Sequence, residues 1–406
     1  MKDSSSHAII NQKFLTPGVH LLIGLALIGF AAAAYRLGFG LQAVTHLSNS
    51  YPWGIWIAID VASGVALAAG GFTTAALVYV FRYERYHAII RPALLTALLG
   101  YTFVVLGLML DLGRYYNIWH PVLPSMWSGH SVLFEVAVCF MAYITVLYIE
   151  FVPVVVERFS GRVKLPGSLS RLNPIIEHLL QNAGAILNRC LFIFIISGVV
   201  LSCLHQSSLG TLMIIAPSKM HPLWYTPILP LLFLLSAISV GFPMVIFESI
   251  LAATSFKREP EMSILSPLSR LIPPLLMVYA AFKFGDLAIR GQESWLATFT
   301  LQGCLFWLEI AGGVLLPCIL LLFQAVRRSV LWLFLASVFI ILGVVLNRVN
   351  VFLTAYQPVN PAESYFPGMG EIAVTVGLIS ALILIYRFVV FHFPVLPKQR
   401  NSSCAS

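Results

Sequence analysis

The chain has 406 residues, of which 59% are hydrophobic and only 10% are charged, and its formal net charge is +8. A soluble domain carries about 25% charged residues. The composition therefore excludes an ordinary soluble protein and indicates an integral membrane protein. The positive charge does not indicate nucleic-acid binding, because an uneven distribution of Lys and Arg between the two sides of a membrane accounts for it.

Hydrophobic runs long enough to cross an apolar core of about 30 Å predict an all-α membrane protein with about ten transmembrane helices. We expect two four-helix bundles, helices 1–4 and 5–8, plus two extra helices. The predicted spans are Pro17–Leu37, Gly54–Phe81, Pro92–Leu112, Ser131–Val156, Leu187–Leu204, Pro227–Phe256, Ile264–Ile289, Leu296–Gln324, Ser329–Val351 and Met369–Val390.

The distribution of basic residues predicts the orientation. With the N-terminus inside, three quarters of the 24 Lys and Arg residues fall on the inner side, which predicts that both termini are cytoplasmic. The predicted segments are an N-terminal cytoplasmic tail (1–16), the first bundle (17–156), a basic cytoplasmic loop (157–186), the second bundle (187–324), helices 9 and 10 (325–390) and a C-terminal cytoplasmic tail (391–406).

Four carboxylates lie in runs that otherwise read as lipid-spanning helices: Asp60, Glu135, Glu248 and Glu309. An ionised side chain at bilayer depth costs about 3 kcal/mol even on gentle insertion scales, so such residues are usually functional. They suit the movement of protons, ions or a polar ligand. The alternative is that each acid pairs with a neighbouring Arg or backbone donor and only stabilises the fold.

The depth of each polar group follows from a rise of about 1.5 Å per residue. Asp60 and Glu135 are expected one to two turns below the outer surface, next to aromatic outer loops, and His205 is expected at the outer end of the fifth span. Tyr101 lies near mid-depth and Glu248 in the inner half. The aromatic outer loops predict either an interfacial belt or a docking face or ligand mouth.

Cofactor ligands are scarce in this sequence. None of the ten histidines is expected deeper than the first turn of a span, so the sequence predicts no pair for a transmembrane haem b. The six cysteines include no C-x-x-C pair, which predicts neither an iron–sulfur cluster nor a structural zinc on this chain. Three classes remain open: a cation-coupled transporter, a quinone-reactive redox subunit and a structural anchor.

Longer strings decide among these classes, because they resemble the NrfD/PsrC family of membrane subunits of polysulfide reductase-type complexes. Further strings resemble its HybB branch, the membrane subunits of menaquinone-linked periplasmic nickel–iron hydrogenases. The first set is Pro52–Asp60, Gly70-Gly71, Arg91–Leu95 with Gly100-Tyr101, and Asp111–Tyr115; the second is Ser131–Glu135, His205–Gly210, His221–Trp224 and Val245–Glu248. The resemblance extends from about Tyr51 to Tyr365.

The resemblance implies a ten-helix subunit without haem in the bacterial cytoplasmic membrane, with a menaquinone site towards the periplasm. It implies a ferredoxin-like iron–sulfur partner on the outside, and hydrogenase large and small subunits that carry the clusters and the nickel–iron centre. A complex with polysulfide, nitrite or another oxidoreductase partner remains the main alternative. A quinone-contacting His of the polysulfide reductase type has no obvious counterpart here.

In HybB-like proteins, residues matching Glu135, Tyr101 and Glu248 are proposed to carry protons, and the resemblance implies the same roles here. Without the usual quinone-contacting His, Asp60 and His205 are the expected hydrogen-bonding partners of the quinone headgroup.

Three further residues complete the expected quinone site. Trp53 and Trp56 are expected to form its apolar or stacking walls. Arg114 is expected to bind the partner or favour the reduced quinone; an interfacial Arg paired with Asp111 is an equally consistent interpretation.

Overall fold

The computed structural model describes residues 7–10, 12–164, 166–358 and 364–398. Ten of its helices are long and apolar enough to cross a membrane, which confirms the predicted all-α membrane fold. They are α1 (Pro17–Phe39), α2 (Trp56–Val80), α3 (Glu84–Asp111), α4 (Val132–Phe159), α5 (Asn173–Ile214, with Arg189–Ile214 as its span), α6 (Leu229–Ser255), α7 (Met262–Ile289), α8 (Leu301–Leu322), α9 (Val330–Thr354) and α10 (Met369–His392).

Both described ends of the chain meet on one face of the molecule. A short strand β1 (His7–Ala8) pairs antiparallel with β2 (Leu396–Pro397). We call this side the terminal face, and the opposite side, where α2 begins and α3 ends, the distal face. The even number of spans agrees with two ends on the same side.

The helices pack as two four-helix bundles plus two extra helices, but the members differ from those predicted. Helices α2 to α5 pack as one group of four, here called the first bundle, and α6 to α9 as another, the second bundle. One continuous hydrophobic core joins the two bundles, while α1 packs along α10 and α10 packs on α3. The predicted bundles of helices 1–4 and 5–8 are therefore wrong in their membership. Hydropathy gives the order of the spans along the chain but carries no information about which spans are neighbours.

Helix α5 corrects two other predictions. It begins at Asn173, inside the segment 157–186 that was predicted as a loop, and it continues to Ile214, ten residues beyond the predicted end of the fifth span. The polar residues after Leu204 suggest a membrane interface, yet they lie inside the bundle. Gln206 Nε2 donates to the Val65 carbonyl (2.7 Å), and Ser208 Oγ donates to the His205 carbonyl (3.0 Å).

Glycine pairs set the closest helix contacts. Gly29 of α1 faces Gly377 of α10, and Gly313 of α8 faces Gly343 of α9; in each pair a Cβ on one residue would collide with the backbone of the other. Small residues that let backbones approach are typical of membrane helix interfaces. These contacts fix α1 on α10 and α8 on α9.

Three helices contain π-helical segments. The four segments are Trp56–Ser63 and Ala76–Val80 in α2, Leu308–Leu315 in α8 and Asn350–Thr354 in α9. A π-helical segment is rare and occurs frequently at functional sites. Two of the membrane-embedded acids, Asp60 and Glu309, lie in such segments.

Candidate functional site

Asp60 lies just inside the distal face, in the π-helical segment of α2. Its Oδ2 accepts a hydrogen bond from Thr375 Oγ1 of α10 at 2.7 Å. Gly107 of α3 makes room for it, because a Cβ at position 107 would lie 2.9 Å from the Asp60 Cβ. The carboxylate is half-buried between three helices and has no cation within ion-pair distance among the described residues.

A second buried acid, which the sequence analysis missed, supports this region. Glu371, fully buried at the start of α10, accepts hydrogen bonds from the Tyr365 hydroxyl (2.6 Å) and from the backbone N–H groups of Gly368 (2.8 Å) and His46 (3.1 Å). Burial and the adjacent carboxylate raise the pKa of Tyr365 above its usual range, so this phenol stays a hydrogen-bond donor. The only sequence signal was an acid next to Gly in the first turn of a span.

The predicted tryptophans have different surroundings. Trp56 is buried, and its Nε1 donates to the Glu371 carbonyl at 3.0 Å. Its indole therefore ties α2 to α10 and has no free donor. Trp53 is half-buried and meets Phe352 edge to face, with ring centroids 5.9 Å apart. Of the two, Trp53 is the more accessible from the distal face.

Two predicted charged residues lie at the distal surface. Arg114 is exposed in the segment after α3. Glu135 is also exposed, in the first turn of α4, where Ser131 caps the helix by accepting from the Phe134 N–H. Both face the side on which a partner protein is expected. Their predicted roles in quinone chemistry stay predictions.

Tyr101 and His205 form a buried aromatic group inside the first bundle. Their ring centroids are 5.7 Å apart, and Phe140 packs against both. The Tyr101 hydroxyl and both ring nitrogens of His205 have no hydrogen-bond partner among the described residues. The expectation that His205 lies at the outer end of a span is wrong, because α5 continues to Ile214, about 13 Å further along its axis.

Neighbouring side chains extend this group, and the sequence analysis missed them. Ser202 lies near Tyr101 and is fully buried, and its hydroxyl has no partner among the described residues. The amide oxygen of Gln206 is also unpaired in the described part of the chain. The available signal is the polar run at 205–208, which the sequence predicts at the membrane surface rather than in the bundle interior.

Glu248 lies in the half of α6 nearest the terminal face. Its Oε1 is buried and has no hydrogen-bond partner among the described residues. Thr96 of α3 and Tyr386 of α10 lie next to the carboxyl group and interact with it, but neither makes a hydrogen bond of regular geometry to Oε1. An unsatisfied buried polar atom is rare in native proteins and costs about 1–3 kcal/mol, so it usually has a functional reason.

Residues of helix α3 that lie next to Glu248 and Asp60 give the spacing of these two acids along the helix axis. Thr96 marks the level of Glu248 and Gly107 that of Asp60, with Tyr101 between them. At about 1.5 Å per residue, Tyr101 lies about 7 Å and Gly107 about 16 Å from Thr96 along the axis. The helical repeat puts Thr96 and Gly107 on one face and Tyr101 on another. Glu248 and Asp60 therefore lie on the same side of α3.

Helix α10 repeats this spacing. Thr375 and Tyr386, which approach the two acids, are also eleven residues apart. Apolar side chains such as Phe103 and Leu378 fill the space between the two levels. The structure thus brings both acids to the interface of α3 with α10 but does not bring them into contact.

The second bundle holds Glu309 in a different way. Its carboxylate accepts from Asn347 Nδ2 (2.8 Å), Asn350 Nδ2 (2.9 Å) and Trp224 Nε1 (3.0 Å). The buried Arg348 extends this network, since its guanidinium donates to Asn347 Oδ1 at 2.6 Å. None of these four residues was predicted to hold Glu309; an Arg inside an apolar run was the available signal.

Together these observations define a polytopic helical membrane protein whose first bundle contains buried polar groups without protein partners. A family model described as polysulphide reductase, NrfD, matches residues 43–360. The chain therefore belongs to the NrfD family, as its sequence strings predicted.

Relatives match almost the whole chain. It is 34% identical over 396 residues to the "Probable Ni/Fe-hydrogenase 2 b-type cytochrome subunit" of Escherichia coli K12, covering 97% of this chain and 96% of that one. It is 37% identical to a protein of Nitratidesulfovibrio vulgaris Hildenborough, covering 96% and 97% of the two chains. It is 25% identical to the "Menaquinone reductase, integral membrane subunit" of the same organism, covering 90% and 88%.

The cytochrome name of the Escherichia coli relative requires a test for haem. A haem b held across a bilayer needs two facing histidines at matched depth, and in the described spans His205 is the one histidine away from the end turns. Its ring is enclosed by Tyr101 and Phe140. The described residues do not fit a bis-histidine haem.

Proposed function

We propose that this chain is the quinone-reactive membrane subunit of a periplasmic nickel–iron hydrogenase complex. It would pass electrons between an iron–sulfur partner and menaquinone, with coupled proton transfer. The observation that carries the proposal is the set of unpaired buried polar atoms in the first bundle of an NrfD-family chain. The names of the hydrogenase and menaquinone reductase relatives support the partner and the quinone.

In this proposal the distal face is periplasmic and the terminal face cytoplasmic, in the bacterial inner membrane, as the distribution of Lys and Arg predicts. The proposed partners are a ferredoxin-like iron–sulfur subunit and the large and small subunits of the hydrogenase. They would dock on the distal face, where Arg114 is exposed. The clusters and the nickel–iron centre belong to those partners.

Menaquinone supplies a two-electron carrier that takes up two protons on reduction. Asp60 is proposed to hydrogen-bond its headgroup from the distal end of α2, with Trp53 as an accessible apolar wall. Trp56 is proposed to hold that wall in place through its bond to the Glu371 carbonyl. His205, which lies about 9 Å deeper than Asp60 by its level on α3, would serve the headgroup only indirectly.

Proton transfer is assigned to Glu135, Tyr101 and Glu248. Glu135 at the distal surface would deliver protons to the quinone site, and the backbone of the next residue, Val136, lies beside His205. Tyr101 and His205 provide unpaired donors and acceptors at mid-depth. Glu248 is the inner acid. The separations along α3 exceed direct hydrogen-bond reach, so waters must complete the route.

The first test is purification of the complex in mild detergent with identification of its subunits. We expect an iron–sulfur protein and a nickel–iron hydrogenase to co-purify and hydrogen to reduce a menaquinone analogue. A chain that purifies without redox subunits would favour a transporter. A complex containing another oxidoreductase would retain the NrfD assignment and reject the hydrogenase.

Two variants test the assigned acids. Glu135→Gln should stop quinone turnover and leave hydrogen oxidation with a soluble dye intact, whereas Glu293→Gln, another exposed acid on the distal face, should change neither. Glu248→Gln should abolish the electrogenic response in sealed vesicles, where one charge crossing corresponds to about 2.3 kcal/mol per 100 mV. Unchanged quinone turnover in the first variant would remove Glu135 from the route.

A further inference from the structure

A cavity of about 50 Å³ opens on the terminal face and reaches Glu248. Its wall includes Ser249 and Ala252 of α6, Tyr386 of α10, and Arg258 and Glu261 from the segment between α6 and α7. A water needs about 10–15 Å³ of such volume, so the cavity has room for several waters. It is therefore large enough for a short hydrogen-bonded water chain.

The inner end of the cavity has two polar atoms that lack hydrogen-bond partners in the part of the chain that the structure describes. Glu248 Oε1 and the Tyr386 hydroxyl are both buried, and neither has a hydrogen-bond partner among the described residues. A carboxyl group and a phenol without regular hydrogen bonds to described residues thus border a space that waters fit. An unpartnered buried carboxyl beside such a space has the geometry of a proton acceptor served by water.

Two further acids, Glu261 and the exposed Glu259, line the mouth of the cavity. Glu261 lies just before α7 and is half-buried. Burial raises the pKa of Glu261 above its ordinary value, and the nearby Arg258 opposes that shift. A carboxyl group in this state takes up and releases protons closer to neutral pH than an exposed Glu does.

The C-terminal strand β2 forms part of the rim of the mouth. Leu396 and Pro397 of β2 line the cavity, and Arg258 donates to the Pro397 carbonyl. Arg91 donates to the Pro394 carbonyl at 2.9 Å, and Arg387 donates to the Lys13 carbonyl at 3.0 Å. Arginines from α3, from α10 and from the segment between α6 and α7 therefore hold the terminal segments in place on this face.

We propose that this cavity is the cytoplasmic proton inlet of the subunit, with Glu261 as its collecting group and Tyr386 as a positioning residue for Glu248. A proton from a cavity water passes to the Glu248 carboxylate; Glu261 returns a proton to that water and is reprotonated from bulk solvent. The inlet rests on the proposed function, because protons consumed at the quinone give it a purpose.

Cysteine accessibility tests the inlet directly in the intact complex. Ser249→Cys places a thiol in the cavity wall, and Ser239→Cys, ten residues away on α6 and buried, is the matched control. A small methanethiosulfonate reagent applied to the terminal face in inverted vesicles should modify position 249 and not 239. Modification should lower quinone turnover several-fold and spare dye reduction, with the unsubstituted complex as background for the native cysteines.

Two outcomes would refute the inlet while leaving the proposed function intact. They are an unreactive Ser249→Cys in a complex that turns over quinone, and a fully modified Ser249→Cys with unchanged turnover. A complex without quinone turnover before any labelling would instead refute the proposed function. Labelling and turnover are measured on the same vesicles, so the two failures are distinguishable.

Substitutions at the mouth and floor provide an independent readout. Glu261→Gln and Tyr386→Phe should lower quinone turnover several-fold, most strongly at alkaline pH where protons are scarce, and should increase the solvent deuterium isotope effect. Glu84→Gln and Tyr83→Phe, exposed on the same face, are the matched controls. A uniform loss at all pH values without an isotope change would indicate a structural role and contradict the assignment.

Discussion

The network around Glu309 and the region where α6 meets the first bundle treat their buried acids in opposite ways. In the second bundle Glu309 accepts three hydrogen bonds from two asparagines and a tryptophan. In the first bundle and at its interface with α6, Glu248 Oε1, the Tyr101 hydroxyl and the His205 nitrogens have no partner in the described part of the chain. Glu309 and Glu248 are both glutamates inside the membrane, so the residue type alone does not distinguish the paired acid from the unpaired one.

The difference shows which partners make a buried acid structural. A carboxylate with several N–H donors is held in one position and one charge state, because any change leaves those donors unsatisfied. A carboxyl group beside a cavity large enough for waters loses little free energy of interaction when it gains or releases a proton. The set of hydrogen-bond partners therefore separates the stabilising acid from the reactive one, and mutants of the two regions should differ accordingly.

The largest effect is expected for Glu309→Leu. It leaves Trp224, Asn347 and Asn350 without their acceptor and Arg348 without a nearby countercharge, and breaking a buried charge network costs about 3–5 kcal/mol. We expect little folded protein in the membrane, measured as the detergent-stable fraction on size-exclusion chromatography. Glu248→Leu is the matched change at the unpaired acid. An equal loss of folded protein in both variants would contradict the distinction between a stabilising and a reactive acid.

A smaller loss of stability is expected for Gly313→Ala. The new Cβ would meet the backbone of Gly343 and push α8 away from α9, and overpacking of this kind costs about 1–3 kcal/mol. Thermal unfolding in detergent is the measurement, and Gly24→Ala is the control because its Cβ would meet no atom within 4 Å. A normal melting temperature for Gly313→Ala would mean that the contact of α8 with α9 is adaptable.

Thr375→Val should have a modest effect on stability. It removes the only hydrogen bond that the described residues make to the Asp60 side chain, for a net cost of about 1 kcal/mol. Because the change frees the carboxylate rather than removing it, we expect an altered KM for the quinone and a small change in melting temperature. A large fall in melting temperature with unchanged KM would place Asp60 among the structural acids.

Tyr101→Phe should have the smallest effect on stability. The hydroxyl has no partner among the described residues, so its removal breaks no protein hydrogen bond and keeps the ring contacts with Phe140 and His205. Quinone turnover should fall several-fold while the melting temperature stays constant. Full activity would show that the proton route avoids this side of α3.

The sequence predicted the ten spans well, since a membrane helix needs a long apolar run and little else. It failed at α5, where His205, Gln206 and Ser208 resemble an interface although they lie inside the bundle. There Gln206 donates to the Val65 carbonyl and Ser208 to the His205 carbonyl. Polar residues in a helix mark either a surface or a buried contact, and only the position of neighbouring helices decides between them.

The site was predicted only in part for the same reason. Asp60 and Glu248 stood out as acids in apolar runs, but the partner of Asp60, Thr375, lies 315 residues away in sequence. An ordinary Thr in an apolar helix gives no signal of its own. Glu371 was missed because an acid at the start of a helix is common and usually exposed.

The π-helical segment of α2 has one more consequence. Each of its turns holds an extra residue compared with an α-helix, so the number of residues between Trp56 and Ser63 sets the direction in which Asp60 points. Deleting one apolar residue there would restore ordinary winding and rotate the carboxylate by about 100°, away from Thr375. The placement of this acid is thus encoded in the length of the chain as well as in its chemistry, and insertions or deletions would affect it more than conservative replacements of its apolar neighbours.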